Sequence, residues 1–227
     1  MTKKSTGENI IPLIDTGGIG VPESEDDRNH ITVEEIGDAG LRPLDNPDFV
    51  MVAAITDKPL QFGSISKKFR DLWNYKELKA KELHPERREL VIEDISKLEI
   101  EIYAVYIDKR AEDNLEWWIG TNDRNEVYRE VLKELMNYVF DRTERDLFIV
   151  VLDSHRALGG GAGKEIVEDS AAGCEKNIID CTAESSAYGK HKDMIQTTDS
   201  IAREVRDRIR GKTAKYELKI FIKRIRK

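Results

Sequence analysis

The amino-acid sequence predicts an α/β domain in which helices cover both faces of a mixed β-sheet. Two observations support this fold class. Apolar segments of strand length alternate along the chain with longer segments whose apolar residues recur at helical spacing, an order typical of a sheet flanked by helices. Of the 227 residues, 39% are hydrophobic and 36% are charged, so a core of one domain's size can form beneath a charged surface. We therefore interpret residues 1–227 as a single domain.

Six segments are predicted as strands because they are apolar or alternate between apolar and polar residues. LFIVVLD (147–153) is apolar throughout, as expected for a central strand that is covered on both faces. LEIEIYAVYID (98–108) alternates, which is typical of a strand with one polar face. In chain order the predicted strands are 10–15, 48–56, 98–108, 147–153, 176–182 and 216–225.

Four segments are predicted as helices because their apolar residues recur every three to four positions. The clearest helix is 121–142, where Asn122 or Asp123 can cap the first turn and an apolar stripe runs from Val127 to Val139. In chain order the predicted helices are 64–75, 121–142, 164–174 and 193–210.

Residues 18–47 are predicted as a long loop or insertion between the first two strands. The segment is polar, is interrupted by Gly and Pro, and shows no sustained apolar periodicity. A long loop of this composition is expected to be the first part of the chain that limited proteolysis cleaves.

The charge of the chain is unevenly distributed. The net charge is −7, whereas residues 203–227 hold eleven Lys and Arg and three Asp and Glu, a net of +8. This basic C-terminal segment could bind a polynucleotide, but it is also typical of a solvated helix face and an edge strand protected by lysines. No apolar run approaches the roughly 18 residues of a membrane span, and the first ten residues lack the apolar segment of a signal peptide. We therefore expect a cytoplasmic protein without a membrane partner.

The segment IIPLIDTGGIG (10–20) brings Asp15 to the end of an apolar run and then turns at two glycines. Three kinds of protein use such a pattern: aspartic proteases, actin-like ATPases and nucleases of the ribonuclease H type. A protease would have to be a homodimer, because the chain holds no second Asp-Thr-Gly. An actin-like ATPase needs two lobes and a second phosphate loop, for which 227 residues are too few.

Two further aspartates can join Asp15 in a metal site. Asp153 also ends an apolar strand, and the carboxyl ends of parallel strands meet at one edge of a sheet. Asp199 falls on the inward face of helix 193–210. Like charges at close range repel, so such a cluster requires a cation, and carboxylate oxygens suit Mg²⁺ or Mn²⁺. Each aspartate could instead cap a turn or a helix, or pair with a basic residue.

Four stretches of the chain resemble the motifs of one family. PLIDTGG (12–18) stands where that family has an apolar strand ending in Asp-Glu-Ser-Gly, and DFVMVAAITD (48–57) is similar to its second strand. ELKAKEL (77–83) and DMIQTTDSIAREV (193–205) are similar to its glutamate–lysine segment and to its closing Leu-Gln-x-Ala-Asp helix. The family is the prokaryotic group known as domain of unknown function number thirty-eight hundred, which looks ribonuclease H-like.

The resemblance implies a ribonuclease H-like fold with an acidic metal site. The site residues that it implies are Asp15, Asp153 and Asp199, supported by the polar residues Lys79 and Gln196. Thr16 and Gly17 stand where the family has Glu-Ser, so one carboxylate that the family would supply is missing. Glu77 or Glu82 can compensate for it, as can the acidic segment ESEDD (23–27).

We therefore predict a divalent-metal-dependent nuclease or a related phosphodiester hydrolase, with Mg²⁺ or Mn²⁺ as the cofactor and a nucleic acid as the partner. Asp15, Asp153 and Asp199 would bind the metal, and Lys79 would hold a phosphate or orient a carboxylate. The missing glutamate motivates one alternative, a non-catalytic module on the same fold that binds nucleic acid or protein. A homodimeric aspartic protease that uses Asp15 alone is the other.

Overall fold

The computed structural model describes residues 28–39, 47–111 and 123–226. Within these ranges six strands form one sheet: β1 (Asn29–Gly37), β2 (Asp48–Thr56), β3 (Glu101–Asp108), β4 (Leu147–Asp153), β5 (Asn177–Glu184) and β6 (Ile220–Arg224). The same ranges contain five α-helices: α1 (Pro59–Trp73), α2 (Pro85–Ile95), α3 (Arg124–Arg142), α4 (Ala162–Gly173) and α5 (Lys192–Ile209). The α/β fold class with a mixed sheet is therefore confirmed.

The order of the strands across the sheet is β5-β4-β1-β2-β3-β6. Strands β1, β2 and β3 form an antiparallel meander, while β4 pairs parallel to β1 and β5 pairs parallel to β4. Strand β6 pairs parallel to β3 at the far edge. Because β1, β4 and β5 run in the same direction, their carboxyl ends lie at one edge of the sheet.

Helices cover both faces of the sheet, as the sequence predicts. Strand β2 shows this most directly, because all of its residues are buried and alternate between two cores. Phe49 and Met51 face the core that α3 and α4 complete, whereas Val50 and Val52 face the core of α1, α2 and α5. Period-two alternation with both faces apolar is the pattern of a strand between two helical layers.

The predicted strands from residue 48 onward and all four predicted helices overlap observed elements. Helix α1 begins earlier than predicted, with Pro59 in its first turn, where a proline's missing N–H costs no hydrogen bond. Helix α2 was not predicted, because its sequence PERRELVIEDI is so charged that only Val91, Ile92 and Ile95 are buried. The predicted strand 10–15 lies outside the described residues.

The prediction of a loop over residues 18–47 is wrong for its central part. Strand β1 occupies Asn29–Gly37 and lies between β4 and β2 in the middle of the sheet. Its apolar signal is weak because three of its buried residues are polar: His30, Thr32 and Glu34. First cleavage by a protease is therefore not expected within this strand, and residues 18–27 and 40–46 lie outside the described residues.

The basic segment 203–227 forms the second half of α5, the connection that follows it and strand β6. Part of its charge is neutralised within the fold, because both Arg206 and Arg210 contact the buried carboxylate of Asp48. In the part of the chain that the structure describes, no helix has both the length and the apolar character needed to traverse a membrane.

Candidate metal centre

The carboxyl ends of β1 and β4 bring carboxylates together at one edge of the sheet. Val33 of β1 pairs with Leu152 of β4, and the next residues along the two parallel strands are Glu34 and Asp153. One carboxylate oxygen from each of Glu34, Glu35 and Asp153 lies within 4.8 Å of the other two. Such a group of three residues could hold a metal ion, since hard divalent cations prefer oxygen ligands.

Helix α5 contributes a fourth carboxylate. Asp199 lines the same cleft as Glu34 and Asp153, and its Oδ2 accepts a hydrogen bond of 2.7 Å from the backbone N–H of Ala80. The bond ties α5 to the segment between α1 and α2. The other carboxylate oxygen of Asp199 does not take part in this hydrogen bond.

Burial and mutual repulsion raise the pKa of each of these carboxyl groups. Burial is the largest cause throughout, and it raises the pKa of Glu35 to about 7 and that of Asp199 to about 6. The pKa of Glu34 lies well above its usual range, since the negative charges of Glu35, Asp153 and Asp199 add to its burial. The pKa of Asp153 is also raised. A cluster in this state gains stability when a cation compensates its charge.

Glu35 is held by an aromatic pair on the α3 side of the sheet. The hydroxyl of Tyr128 donates a hydrogen bond of 2.9 Å to Glu35 Oε2, which favours the ionised carboxylate. The ring of Tyr128 stacks on that of His155, with ring centres 4.0 Å apart and planes 2° from parallel. The position of Glu35 is therefore fixed by packing as well as by its backbone.

Ser186, in the loop between β5 and α5, connects several polar residues of the site. Its backbone N–H lies 3.3 Å from Asp153 Oδ1, and its hydroxyl donates a hydrogen bond of 2.7 Å to Glu77 Oε1. Its carbonyl oxygen accepts a hydrogen bond of 2.7 Å from Gln196 Nε2, and Gln196 Oε1 accepts from the N–H of Leu78 at 3.0 Å. Gln196 therefore connects the loop that carries Ser186 to the segment between α1 and α2.

Two further contacts brace this loop. Glu184 Oε2 accepts a hydrogen bond of 2.8 Å from the backbone N–H of His191, whose Nδ1 lies 2.7 Å from Glu184 Oε1. Gly189 packs against the same carboxylate so closely that a Cβ at this position would lie 2.4 Å from Glu184 Oε2. The loop that carries Ser186 is thus anchored at both of its ends.

The four carboxylates open into a cleft of about 420 Å³. Its lining also includes Glu77 and four basic residues: Lys79, Lys81, Arg203 and Arg206. Lys79 Nζ lies 3.2 Å from Glu77 Oε2, and its side chain is 41% exposed. The lining of the cleft thus combines five carboxylates with four basic side chains.

The structure brings Asp153, Asp199 and Lys79 into one cleft, whereas Asp15 lies outside the described residues. Glu34 and Glu35 are not among the site residues that the sequence predicts. A signal was present, because two glutamates follow the alternating residues HITV and precede Gly37. Of the two glutamates considered as replacements, Glu77 lines the cleft and Glu82 is not part of its lining.

Comparison with known proteins adds no assignment to this geometry. No protein-family model matches the chain, and the search of curated proteins returned no match.

Proposed function

We propose that the protein is a divalent-metal-dependent phosphodiester hydrolase acting on nucleic acid, with Mg²⁺ or Mn²⁺ as its cofactor. The observation that carries this proposal is the convergence of Glu34, Glu35, Asp153 and Asp199 from two parallel strand ends and one helix. Carboxylates that converge in this way would hold divalent metal, which would supply the positive charge that in-line displacement at a phosphodiester requires.

We propose further that the fold is ribonuclease H-like. Support comes from the meander β1–β2–β3 with β4 and β5 added in parallel beside β1, and from the acidic pair near the end of β1. Nucleases of the ribonuclease H type carry a metal-binding carboxylate in this place.

Strand β1 also changes how the resemblance is aligned. The family's first strand ends in Asp-Glu-Ser-Gly, and Glu34-Glu35-Ile36-Gly37 offers the same order of two carboxylates, one further residue and a glycine. Unlike the match at Asp15, this one has a carboxylate at both of the positions where the family has Asp and Glu. The reason for preferring a non-catalytic binding module, the missing glutamate, therefore no longer applies. The protease alternative depends on Asp15, which lies outside the described residues.

The donor set fits a small, hard cation. All four groups offer carboxylate oxygens, and among the described residues the three that lie within ligand distance of one another include no histidine or cysteine. Oxygen-only ligand sets favour Mg²⁺ or Mn²⁺ over Zn²⁺. The raised pKa values point the same way, because a cation removes the cost of ionising carboxyl groups that are partly or fully buried.

Some residues of the cleft bind the substrate, and others orient the carboxylates that would bind the metal. The carboxylates would hold a divalent ion, which would supply positive charge to the phosphoryl oxygens of the substrate. Lys79 and Arg203, at the side of the cleft, hold the phosphate by charge. Tyr128 fixes Glu35, while Ser186 fixes Asp153 and Glu77, so that the ligands are oriented before a substrate binds.

Glu34→Gln tests the proposal directly. We expect Mn²⁺-dependent hydrolysis of a labelled oligonucleotide, and of the small ester bis(p-nitrophenyl) phosphate, to fall by more than the roughly 100-fold that loss of an outer partner of a metal ligand causes. The matched control is Glu126→Gln, an exposed glutamate in the first turn of α3. Equal rates for the two variants would contradict the proposal, as would a native protein whose hydrolysis of both substrates is unaffected by metal.

Tyr128→Phe tests how Glu35 is positioned. The substitution removes the hydroxyl that donates to Glu35 and keeps the ring that stacks on His155, so the fold should be retained. We expect the Mn²⁺ concentration for half-maximal activity to rise about 10-fold, as is typical when a metal ligand loses its hydrogen-bond partner. A variant that loses maximal rate without any change in its metal requirement would show that Tyr128 acts in another way.

A further inference from the structure

A second cleft lies beside the first, between α2 and α5. Its volume is about 250 Å³, and Arg203 belongs to the lining of both clefts. The second cleft contains five basic residues, Arg88, Arg203, Arg208, Lys212 and Lys215, against three acidic ones, Glu89, Glu204 and Asp207. The acidic cluster and this positively charged region are therefore neighbours along the same helix.

The surplus of positive charge is concentrated around one carboxylate. Asp207 lies 3.3 Å from a guanidinium nitrogen of Arg88, 3.9 Å from Arg203 Nε and 2.9 Å from Lys212 Nζ. The single carboxylate of Asp207 thus pairs with three cationic side chains. In addition, the Nε atoms of Arg88 and Arg203 are buried and have no hydrogen-bond partner among the described residues. An anion with several acceptor oxygens would offset this excess of positive charge.

The position of these residues along α5 relates the two clefts. Asp199, Arg203 and Asp207 are spaced four residues apart, so they lie on one face of the helix with a rise of about 6 Å between successive members. A ligand that lies along this face of α5, starting at Asp199, would contact Arg203 after one helical turn and the cations around Asp207 after a second turn. A polynucleotide strand, whose phosphates are regularly spaced, can make contacts in this order.

We propose that the basic groove formed by Arg88, Arg203, Lys212 and Lys215 around Asp207 binds the phosphodiester backbone of one polynucleotide strand, next to the phosphate held at the acidic cluster. The proposal rests on the function proposed above and makes the substrate a polynucleotide rather than a small phosphodiester. With a net charge of −7, much of the protein repels a polyanion, so a local surplus of positive charge beside the site can set the path of the strand.

The test uses Lys212 and Lys215, whose side chains are 59% and 62% exposed, so that their substitution should leave the fold intact. The affinity of the full chain for a labelled single strand of about 12 nucleotides is measured by anisotropy as a function of salt. Each phosphate contact on a single strand contributes about 0.7 to the slope of log K against log salt. We therefore expect K212Q/K215Q to bind more weakly and to lower the magnitude of the slope by about 1.4.

The matched control is K133Q/K164Q, which removes the same charge from exposed residues of α3 and α4 on the opposite face of the sheet. We expect it to leave the slope unchanged. Equal slopes for the two double variants would overturn the proposed groove. Metal-dependent hydrolysis of bis(p-nitrophenyl) phosphate by the native protein is measured alongside, because it reports on the acidic cluster independently of the groove. Displacement of the strand by polyglutamate as effectively as by unlabelled polynucleotide would also overturn the proposal, in favour of an acidic peptide as the ligand.

Discussion

Asp153→Asn is expected to abolish metal-dependent cleavage of a polynucleotide while leaving the metal-free protein at least as stable as the native one. The substitution keeps the size of the side chain and removes its charge. The carboxamide oxygen of Asn can still accept the hydrogen bond from the N–H of Ser186, so the loop before α5 retains its anchor. Glu34 and Asp199 lose a negative neighbour, and this removes repulsion that raises their pKa values.

Three measurements check this prediction. Cleavage of a labelled oligonucleotide in Mn²⁺ should fall by more than about 100-fold, because a metal site loses a charged ligand rather than an outer partner. Thermal unfolding in a chelator should give an unchanged or higher midpoint. Binding of the strand outside the acidic cluster should persist. Asp141→Asn, at an exposed position near the end of α3, is the matched control.

The effects of Asp153→Asn on cleavage and on metal-free stability distinguish between the functions that the sequence leaves open. A non-catalytic binding module would keep its affinity for polynucleotide and would show no metal-dependent cleavage with or without the substitution. A sharp loss of metal-free stability would contradict both interpretations. It would mean that Asp153 is a structural residue whose ionised carboxylate the fold requires.

The stability of the metal-free protein is expected to fall as the pH rises from about 4 to about 7, and divalent metal should reverse the loss. In this range the unfolded chain has released the protons of Glu35 and Asp199, whereas the folded protein still binds them, because their pKa values are about 7 and about 6. The folded state therefore binds more protons than the unfolded state, and the free energy of unfolding declines with pH. For Glu35 alone the difference corresponds to about 3 kcal/mol.

The stabilisation of the folded protein by divalent metal should itself depend on pH. At about pH 7.5, Mn²⁺ at about 100 times its dissociation constant adds about 2.7 kcal/mol, which for a chain of this length raises the unfolding midpoint by about 5–10 °C. At about pH 5 Glu35 and Asp199 are protonated, and the same concentration should have little effect. The measurement is a series of melting curves with and without metal across this pH range, with Ca²⁺ and salt as controls.

Other groups act in the opposite direction, so a variant is needed to isolate the cluster. Burial acts to raise the pKa of Glu184, but the hydrogen bonds from His191 outweigh it, and the resulting lowered pKa contributes stability that is lost on acidification. Glu35→Gln removes one of the raised pKa values and should flatten the decline between about pH 4 and about pH 7. A native protein whose stability rises throughout this range, with the same slope in Glu35→Gln, would contradict the prediction.

Local periodicity in the sequence determined most of the secondary structure. The four predicted helices carry apolar stripes, and β2 and β4 are so apolar that no helical pattern competes with them. Helix α2 and strand β1 escaped prediction for the same reason, because each contains charged or polar residues in place of a clear apolar repeat. In β1 those residues include Glu34, which would belong to the site that we propose.

The sequence by itself also determined two of the four carboxylates of the proposed site. Asp153 follows from the rule that sites form at the carboxyl ends of strands, and Asp199 follows from its place on the inward face of a helix. Both inferences need only residues that are close together in the chain.

Only the tertiary structure decided which strand supplies the other two carboxylates. Val33 pairs with Leu152 across more than a hundred residues of chain, and nothing local to either strand specifies that partner. The central place of β1 depends instead on helices that cover both faces of the whole sheet, which lets a strand with polar residues be buried. The energy that places Glu34 and Glu35 beside Asp153 is thus supplied by the apolar neighbours of β1 in the sheet rather than by β1 itself.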